Sequence, residues 1–415
     1  MEARQLRGLE IAAKSRIYQK EDGTWSVPSQ VGKGRYVIEM GEKPRCSCSD
    51  YETREAKCKH IYAVEYVLER EQHEDGTETV TETLTVTEKV QRKTYPQKWT
   101  AYNAAQTTEK AEFQRLLNAL CSNVEVPVQT NGRPRIPLPD ALFCVTFKVY
   151  STVSGRRFIG DLRDAKDKGY LRKVPHFNTI FNYLEMPKLK PILADLITES
   201  SLPLSAIETD FAVDSSGFGT GRFTTWYETK YGSVNQHDWV KAHICCGVKT
   251  NVVTAVEISE RNSHDAQFLP PLLKATAENF DIKKVLADKA YTSTRNLRIV
   301  EALGAFPYIA FRKNTQPMSE KRGGKNHIWS RMFHYYSLHR EEFLASYHQR
   351  SNVESTFMAI KAKFGNAVRS KTPVAQANEV LCKILCHNIC CVIQSIHELG
   401  ISPEFGKVTE NLAAD

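Results

Sequence analysis

Two features of secreted and membrane proteins are missing from this sequence of 415 residues. No apolar run approaches the roughly 20 residues that a membrane span needs, and the N-terminal stretch MEARQLRGLEIAAKSR lacks a signal-peptide core. The 11 cysteines are an odd number for a secreted disulfide framework. We therefore expect an intracellular protein that is neither secreted nor bound to a membrane, with reduced thiols that can bind metal.

A strong excess of either charge is also missing. Lysine and arginine total 56 against 48 aspartate and glutamate residues, which gives a net charge of +8. Such a small excess over so long a chain favours an anionic partner but is weak support for nucleic acid. The length indicates two or three folded units with sizeable cores.

Four potential metal ligands lie close together near the N-terminus. They are Cys46, Cys48, Cys58 and His60, spaced as C-x-C, nine residues, then C-x-H. Three thiolates and one imidazole form a closed tetrahedral set for structural zinc, and a small module needs such a clamp to fold. Incidental buried thiols beside an exposed histidine are the alternative interpretation.

This pattern, followed by an aliphatic helix, resembles the SWIM zinc finger. The resemblance implies a zinc-binding α+β module over residues 1–72, with one structural zinc ion and a contact with either DNA or protein. The helix after His60 is expected to pack one apolar face against a strand at Tyr36–Met40. The residues of that face are Ile61, Val64, Val67 and Leu68.

A linker and a helical region follow. Residues 73–95 are dominated by threonine and glutamate, which indicates mostly linker, with an exposed strand or hairpin as the alternative. Residues 96–205 are predicted to be helical, with helices at 99–120, on either side of Ser154–Gly155 and after Pro175. Short helices with basic connections suit a helix-turn-helix unit that binds a major groove. A helical bundle that only supports the next domain fits the pattern equally well.

Strands and helices alternate through residues 206–397. Three β-rich runs, AIETDFAVDSSGF, WVKAHICCGV and VVTAVEIS, precede a helix, the strand KKVLADKAY, a second helix and the strand AFPYIAFR. The first strand is expected to end at Asp214, and a basic loop is expected from Lys313 to Arg331. This order predicts an α/β domain with a mixed sheet covered by helices. Residues 398–415 are a tail without a clear pattern.

The stretch YHQRSNVESTFMAIK, at residues 347–361, lacks proline and glycine and is predicted to be one helix. At about 100° per residue, one stripe of that helix carries a phenol, a carboxylate and two cations. These side chains are Tyr347, Arg350, Glu354 and Lys361. Considered alone, they fit an exposed ladder of i, i+4 ion pairs better than a functional site.

Three motifs in order resemble the DDE transposases of prokaryotic insertion sequences: VDSSGF, ADKAY and the helix just described. The resemblance implies an RNase H-like fold in which Asp214, Asp288 and Glu354 bind two Mg²⁺ or Mn²⁺ ions. It also implies DNA contacts by Tyr347, Arg350 and Lys361.

Three carboxylates suit phosphodiester chemistry. Two divalent ions roughly 4 Å apart serve the attacking and the departing oxygen together, and hard ions prefer carboxylate ligands. By the resemblance, Asp214 bridges both ions, while Asp288 and Glu354 each complete one. The nearby acids Asp210 and Asp265 are weaker candidates for the same role.

The resemblance predicts a DNA transposase that binds element ends, cleaves them and joins them to target DNA in the cytoplasm or nucleoid of a prokaryote. Its predicted partners are double-stranded DNA and, in a synaptic complex, a second copy of the chain. One alternative is a zinc-finger DNA-binding regulator whose three acids have lost their role, although an intact set argues against it. A metal-dependent nuclease that cuts without joining is the other alternative.

The stretch LCKILCHNICCVIQSI is apolar on nearly every side and predicts a buried C-terminal helix. Its four cysteines are interpreted as packing residues, because thiols are often buried in cores. A metal site that includes His387 is the less common alternative. The cysteines are Cys382, Cys386, Cys390 and Cys391.

Overall fold

A computed structural model of the chain describes residues 3–30, 34–68, 71–72, 78–79, 98–126, 132, 135–221, 238–317 and 327–405. The chain divides into two compact units, Met1–Pro96 and Gln97–Asp415. Buried apolar residues form one cluster in the smaller unit and two clusters in the larger unit. Each unit therefore has a core of its own.

The smaller unit is an antiparallel sheet with three helices. Its four strands lie in chain order: β1 (Tyr18–Gln19), β2 (Trp25–Pro28), β3 (Arg35–Glu39) and β4 (Arg45–Cys46). Its helices are α1 (Ala3–Lys14), α2 (Ser49–Arg54) and α3 (Lys59–Leu68). Antiparallel neighbours in chain order need only short connections, which suits a small module.

Helix α3 packs as predicted over its first half. Ile61 and Val64 are fully buried, and the helix contacts β2 and β3. Val67 and Leu68 are each 38% exposed, so the prediction that all four residues pack inward was wrong for the last turn. The short sheet ends before it can cover them.

Helix α1 was not predicted from the sequence. It lies against α3 so closely that a Cβ at Gly8 would lie 2.6 Å from the Cβ of Tyr62. Only glycine permits this approach, and it brings Ile11 of α1 into the core.

Two short strands lie on either side of the start of the segment predicted to be a linker, residues 73–95. β5 (Glu71–Gln72) pairs antiparallel with β6 (Glu78–Thr79). Residues 73–77 and 80–95, on which most of the linker prediction rests, lie outside the described residues.

Five helices open the larger unit: α4 (Trp99–Ser122), α5 (Leu138–Ser151), α6 (Gly155–Asp167), α7 (Phe177–Leu184) and α8 (Leu189–Ser201). The first four lie where the periodicity predicted them, with the break at Ser154–Gly155. Helix α8 was not distinguished from the rest of the helical region.

Most of this helical region belongs to the core. Helices α4, α5 and α8 contact the C-terminal helix, which spans Pro373–Leu399, and every residue from Ala141 to Val149 of α5 is buried. A recognition helix must present an exposed face to a DNA groove. The packing of α5 therefore favours the supporting bundle, and the helix-turn-helix interpretation is confined to α6 and α7, which each bury only a stripe.

The larger unit is built on a mixed five-stranded sheet. Its strands are β7 (Asp210–Gly219), β8 (Trp239–Gly247), β9 (Val253–Ser259), β10 (Lys284–Ala287) and β11 (Phe306–Ile309). Their order is β11–β10–β7–β8–β9, with β7 to β9 antiparallel and β10 and β11 parallel to β7. The predicted RNase H-like mixed sheet is confirmed. Strand β7 does not end at Asp214, because it pairs with β8 as far as Gly219.

Helices cover both faces of this sheet. On one face, α9 (Leu269–Ala277), α10 (Thr294–Ala302) and α11 (Ile328–Leu338) share a buried cluster with Phe211 and Val213. On the other, Ala212 and Phe218 share a cluster with two further helices. After α12 (Arg340–Tyr347), these helices are α13 (Ser351–Phe364) and α14 (Pro373–Leu399).

Two boundaries before α13 differ from the predictions. The basic loop does not extend to Arg331, because Ile328 and Met332 are buried and begin a helix. The helix predicted over residues 347–361 is interrupted by a 3₁₀ turn at His348–Arg350. Both errors arose because a single sequence marks helix ends weakly.

Helix α14 is the central helix of the larger unit. By length and mean hydropathy it is the one described helix that could cross a membrane, whereas no run of that length was expected from the sequence. However, 72% of its most apolar window is buried inside the protein. Cys382 and Cys386 are fully buried, which confirms the packing interpretation for these two, whereas Cys390 and Cys391 are half-buried. The His387 Nε2 atom lies 2.9 Å from a backbone carbonyl oxygen, that of Asn251.

Candidate active site and metal centre

Asp214 and Asp288 lie side by side at the sheet. Strands β7 and β10 are parallel, with Val213 opposite Ala287, so the next residue along each chain is an aspartate at the same level. Side chains alternate between the faces of a sheet, which assigns both aspartates to the face covered by α13. Each carboxylate accepts a hydrogen bond from the amide that follows it, at 2.8 Å for Asp214 and 2.6 Å for Asp288.

Glu354 reaches the same face from the first turn of α13. Its Oε1 accepts a 2.6 Å hydrogen bond from Nη2 of Arg350, whose Nη1 lies 3.5 Å from Oδ2 of Asp214. One guanidinium thus joins two carboxylates that are 140 residues apart in sequence. The i, i+4 ion pair between Arg350 and Glu354 is present, as an exposed ladder predicts, but Arg350 also contacts Asp214 on the sheet.

The charges around Asp214 act in opposite directions. Burial raises the pKa of this carboxyl group most, and the neighbouring carboxylates of Glu354 and Asp288 raise it further. The amide of Ser215 and the guanidinium of Arg350 oppose the rise. Two carboxylates close enough to disfavour the ionisation of Asp214 form, together with it, a place where a bound cation would be stabilising.

Arg350 contacts both Asp214 and Glu354, and these acids do not form a closed set of ligand atoms. Within the described ranges, one group alone brings three or more potential ligand atoms together within 4.8 Å, and it is the cysteine–histidine cluster rather than these acids. The acid set offers oxygen atoms only, which are the ligands that Mg²⁺ and Mn²⁺ prefer. The donor chemistry fits a divalent metal, provided that Arg350 moves or shares its partners.

The cysteine–histidine cluster lies in the smaller unit. Cys46 ends β4, Cys48 precedes α2, and Cys58 and His60 flank the start of α3. All four side chains are buried, and the His60 Nδ1 atom lies 3.9 Å from the sulfurs of both Cys46 and Cys58. A tetrahedron with zinc–sulfur bonds of about 2.3 Å and a zinc–nitrogen bond of about 2.0 Å places its ligand atoms at nearly such separations.

The ionisation of these side chains also favours a metal. The hydrogen bond from Cys46 and then the contact with His60 lower the pKa of Cys58 to about 4, so a thiolate is favoured. The pKa of Cys46 is raised, chiefly because it shares a proton with Cys58. A divalent ion that binds thiolates would satisfy the sulfurs together. The set fits zinc.

Comparison with known families identifies two parts of the chain. Residues 36–69 match the SWIM zinc finger, and residues 206–389 match the transposase DDE domain. The chain carries a SWIM zinc finger and a transposase DDE domain. No curated protein and no solved structure matches it.

The cleft of the DDE domain extends along α13. It has a volume of about 580 Å³ and is lined by Asp214, Glu354 and Lys361. The Lys361 ammonium donates a 2.7 Å hydrogen bond to Oγ of Ser216, two residues beyond Asp214 on the same strand face. Lys361 therefore faces the cleft, where its charge is available to a phosphate.

Tyr347 lies at the end of α12 and at the edge of the carboxylate group. Its ring stacks on Phe343, with centroids 5.7 Å apart, and the Arg350 guanidinium carbon lies 5.8 Å from its centroid. Burial raises the pKa of the Tyr347 phenol, and the charge of Asp288 contributes in the same direction. Although the 3₁₀ turn interrupts the helix after Tyr347, this side chain still lies near Asp288.

The two alternative acids are each neutralised by a lysine. Asp210 begins β7 and lies 3.1 Å from the ammonium of Lys284. Asp265 lies 2.6 Å from the ammonium of Lys241 and accepts a hydrogen bond from Ser215, whose side chain is on the sheet face opposite Asp214. Strand alternation thus separates Asp265 from the carboxylates near α13.

Two neighbours of Asp265 were not identified from the sequence. Lys241 and His243 are alternate residues of β8, and the His243 Nδ1 atom lies 3.6 Å from the Asp265 carboxylate. Burial lowers the pKa of His243 to about 4, so the ring is neutral at pH 7. Their alternation in WVKAHICC was the only available signal, and it is common in strands.

Proposed function

We propose that this protein is a DNA transposase that binds element ends, cleaves them and joins them to target DNA. The observation that carries the proposal is the approach of Asp214, Asp288 and Glu354 from two parallel strands and one helix within a transposase DDE domain. These residues come from distant parts of the chain and meet on one face of the sheet. A row of exposed ion pairs along one helix would not need such a meeting.

The three carboxylates are proposed to hold two Mg²⁺ or Mn²⁺ ions. Asp214 would serve both ions, because it lies close enough to Asp288 and to Glu354 for each of their charges to raise the pKa of its carboxyl group. When bound, such ions activate water or a DNA 3′-hydroxyl group and stabilise the departing oxygen.

The basic side chains of the cleft position the DNA. Lys361 lines the cleft and is proposed to bind a phosphate next to the scissile one. Arg350 neutralises Asp214 and Glu354 before DNA binds, and in the complex it turns to a phosphate oxygen. The ring of Tyr347 is proposed to stack on, or hydrogen-bond to, the nucleotide at the cleavage site.

Cys46, Cys48, Cys58 and His60 are proposed to bind one structural zinc ion. Their ligand atoms already lie together, and the small sheet and helices converge on them. Loss of the ion would unfold the module, because zinc binding supplies much of the folding free energy of small domains. The module is proposed to add affinity for DNA or a protein partner.

A joining assay separates this proposal from its alternatives. The protein is incubated with Mg²⁺, a plasmid target and labelled duplexes that carry the inverted repeats flanking its gene. A transposase gives target molecules joined to the label. A nuclease gives only cleaved duplexes, and a regulator only a bound complex. Either of the last two results, with folded and metal-loaded protein, would overturn strand transfer.

Joining needs two ends to react together. We propose a homodimer that assembles on DNA inside a prokaryotic cell, with one chain on each element end. Mass measurement with and without end duplexes is the test, and a strictly monomeric complex that completes joining would contradict it.

A further inference from the structure

A second cavity lies in the larger unit beyond the far end of α13. It has a volume of about 440 Å³, and it is lined by the end of α5, the start of α6 and the segment before α14. Phe364, the last residue of α13, forms part of its wall. The cavity contains none of the residues assigned to metal or to the cleavage site.

The cavity contains a buried lysine with no partner. Lys148 is only 7% exposed, although it carries an ammonium group. In the described part of the chain, no hydrogen bond or ion pair reaches that ammonium; the nearby charge of Arg369 opposes its protonation, and that of Glu379 favours it to a smaller extent. Burial lowers the pKa of Lys148 to about 8, so the side chain is still protonated at pH 7. Holding an unpaired buried charge is costly unless a ligand pairs with it.

The acidic residue beside Lys148 is already engaged. Glu379 accepts hydrogen bonds from the amides of Arg369 and Ser370, at 2.8–3.0 Å. Its other neighbour, Lys383, donates to the carbonyl oxygens of Gly365 and Ala367 and lies 3.7 Å from the Glu379 carboxylate. Glu379 and Lys383 therefore fix the chain around the cavity, and they leave the charge of Lys148 for another ion.

The remaining charges of the cavity also favour an anion. Four cationic and two acidic side chains line it, an excess of two positive charges. The N-terminus of α6 opens into it at Ser154 and Gly155, where no side chain caps the helix and no acidic residue lies in the first turn. The exposed amides and the helix dipole attract negative charge at such an end.

Next to this helix end, α6 and α7 approach each other closely at Gly155 and Phe181. A Cβ at Gly155 would lie 2.8 Å from the Cζ atom of Phe181, so a larger residue there would have to displace the phenylalanine ring. Gly155 lines the cavity without a side chain of its own. Lys148 on α5 and the N-terminus of α6 thus line the same cavity, and both attract an anion there.

We propose that this cavity binds a phosphate group, with Lys148 and the N-terminus of α6 as its principal contacts. The proposal rests on the proposed function where the phosphate is taken to belong to DNA. Ten residues of α13 separate Phe364 from Glu354, about 15 Å along the helix axis and about four nucleotides of duplex rise. A strand cleaved at Glu354 therefore passes within reach of the cavity.

The test compares Lys148→Met with the wild type. Methionine has nearly the length of lysine and no charge, so the variant should fold with a higher melting temperature than the wild type. It should bind inorganic phosphate at least about tenfold more weakly in calorimetric titrations at constant ionic strength, because a charge-assisted contact is lost. Lys274→Met, which removes an exposed lysine of α9, should bind phosphate as the wild type does.

The source of the phosphate is decided with duplex DNA. If the site binds the DNA backbone, Lys148→Met should lower the slope of log affinity against log salt by about one unit. An unchanged slope together with lost phosphate binding assigns the site to a free phosphate or a phosphorylated small molecule. Equal phosphate binding by wild type and Lys148→Met, or none by either, overturns the proposal. A wild type that binds phosphate through Lys148 but cannot cleave DNA overturns only the proposed transposase function.

Discussion

The two candidate metal sites of this protein are built in opposite ways. In the SWIM zinc finger, four buried ligand atoms already lie within 4.8 Å of one another. In the DDE domain, the Glu354 side chain is 56% exposed, and a guanidinium lies between it and Asp214.

The difference follows from the charge of the ligands. Cysteines and a histidine can be packed together without a metal, because a hydrogen bond between Cys46 and Cys58 lets one carry the proton that the other loses. Ionised carboxylates repel one another, and Arg350 compensates the charges of Asp214 and Glu354. The proposed zinc site would therefore be closed and structural, whereas the proposed carboxylate site would keep ligand positions open for water and phosphate.

The largest expected effect breaks the carboxylate site. Asp214→Asn, Asp288→Asn and Glu354→Gln should each lower Mg²⁺-dependent cleavage by about three orders of magnitude or more, while DNA binding in Ca²⁺ persists. The amide removes a metal ligand with little change of shape. Single-turnover cleavage of end duplexes is the measurement.

A matched control for these variants is Asp281→Asn, since the Asp281 side chain is 78% exposed and lies in the same domain. It should cleave as the wild type does. Any of the three acids whose amide variant still cuts at a normal rate is not a metal ligand.

The second prediction breaks the zinc site. Cys58→Ser should lose bound zinc and the fold of the smaller unit, since the ion supplies free energy that the small core cannot replace. Residues 97–415 have separate cores and should stay folded and still cut DNA at saturating concentration. Zinc content and proteolytic mapping, measured beside cleavage, check both parts.

The control for Cys58→Ser is Cys390→Ser, because Cys390 is a half-buried thiol of α14 outside the cluster. That protein should retain its zinc. If zinc-free Cys58→Ser binds DNA normally but cannot cut it at saturation, the zinc finger is part of the catalytic machinery and the contrast between the two sites fails.

The third prediction sharpens the role of Arg350. Without metal, Arg350→Ala should destabilise the DDE domain by about 2 kcal/mol, because Asp214 loses a charged partner in a half-buried place. Mg²⁺ should then stabilise this variant more than it stabilises the wild type, since the ion no longer competes with a guanidinium. Melting temperatures with and without Mg²⁺ give the answer.

Arg295→Ala is the control for this measurement, because Arg295 is exposed on α10. Its response to Mg²⁺ should equal that of the wild type. An equal response in Arg350→Ala would mean that the guanidinium does not occupy the place of the metal.

The smallest expected effect concerns Lys361. Lys361→Ala should weaken binding to element ends and lower the slope of log affinity against log salt by about one unit, because one phosphate contact is lost. The same change at Lys274, exposed on α9, should leave the slope unaltered. A normal slope in Lys361→Ala would assign Lys361 to the hydrogen bond with Ser216 alone.

Local patterns in the sequence predicted much of the fold. The periods of two and 3.6 residues located the five strands of the sheet and helices α4 to α7, because burial on one face imposes these periods. The patterns failed at ends: β7 runs beyond Asp214, and a 3₁₀ turn divides the helix that carries Glu354. The sequence of α14 did not distinguish a helix buried in a protein core from a helix in a membrane, and only its packing against other helices did so.

The sequence by itself determined which chemical groups this protein has and their local spacing: thiols in C-x-C and C-x-H pairs, and single acids after apolar strands. Only the tertiary structure decided which of them meet. Parallel pairing of β7 with β10 sets Asp214 beside Asp288. Strand alternation directs Ser215 to the opposite face, where it contacts Asp265, and Arg350 joins the sheet to α13. The physical reason is that these contacts depend on strand register and helix packing between segments far apart in the chain, which no local period encodes.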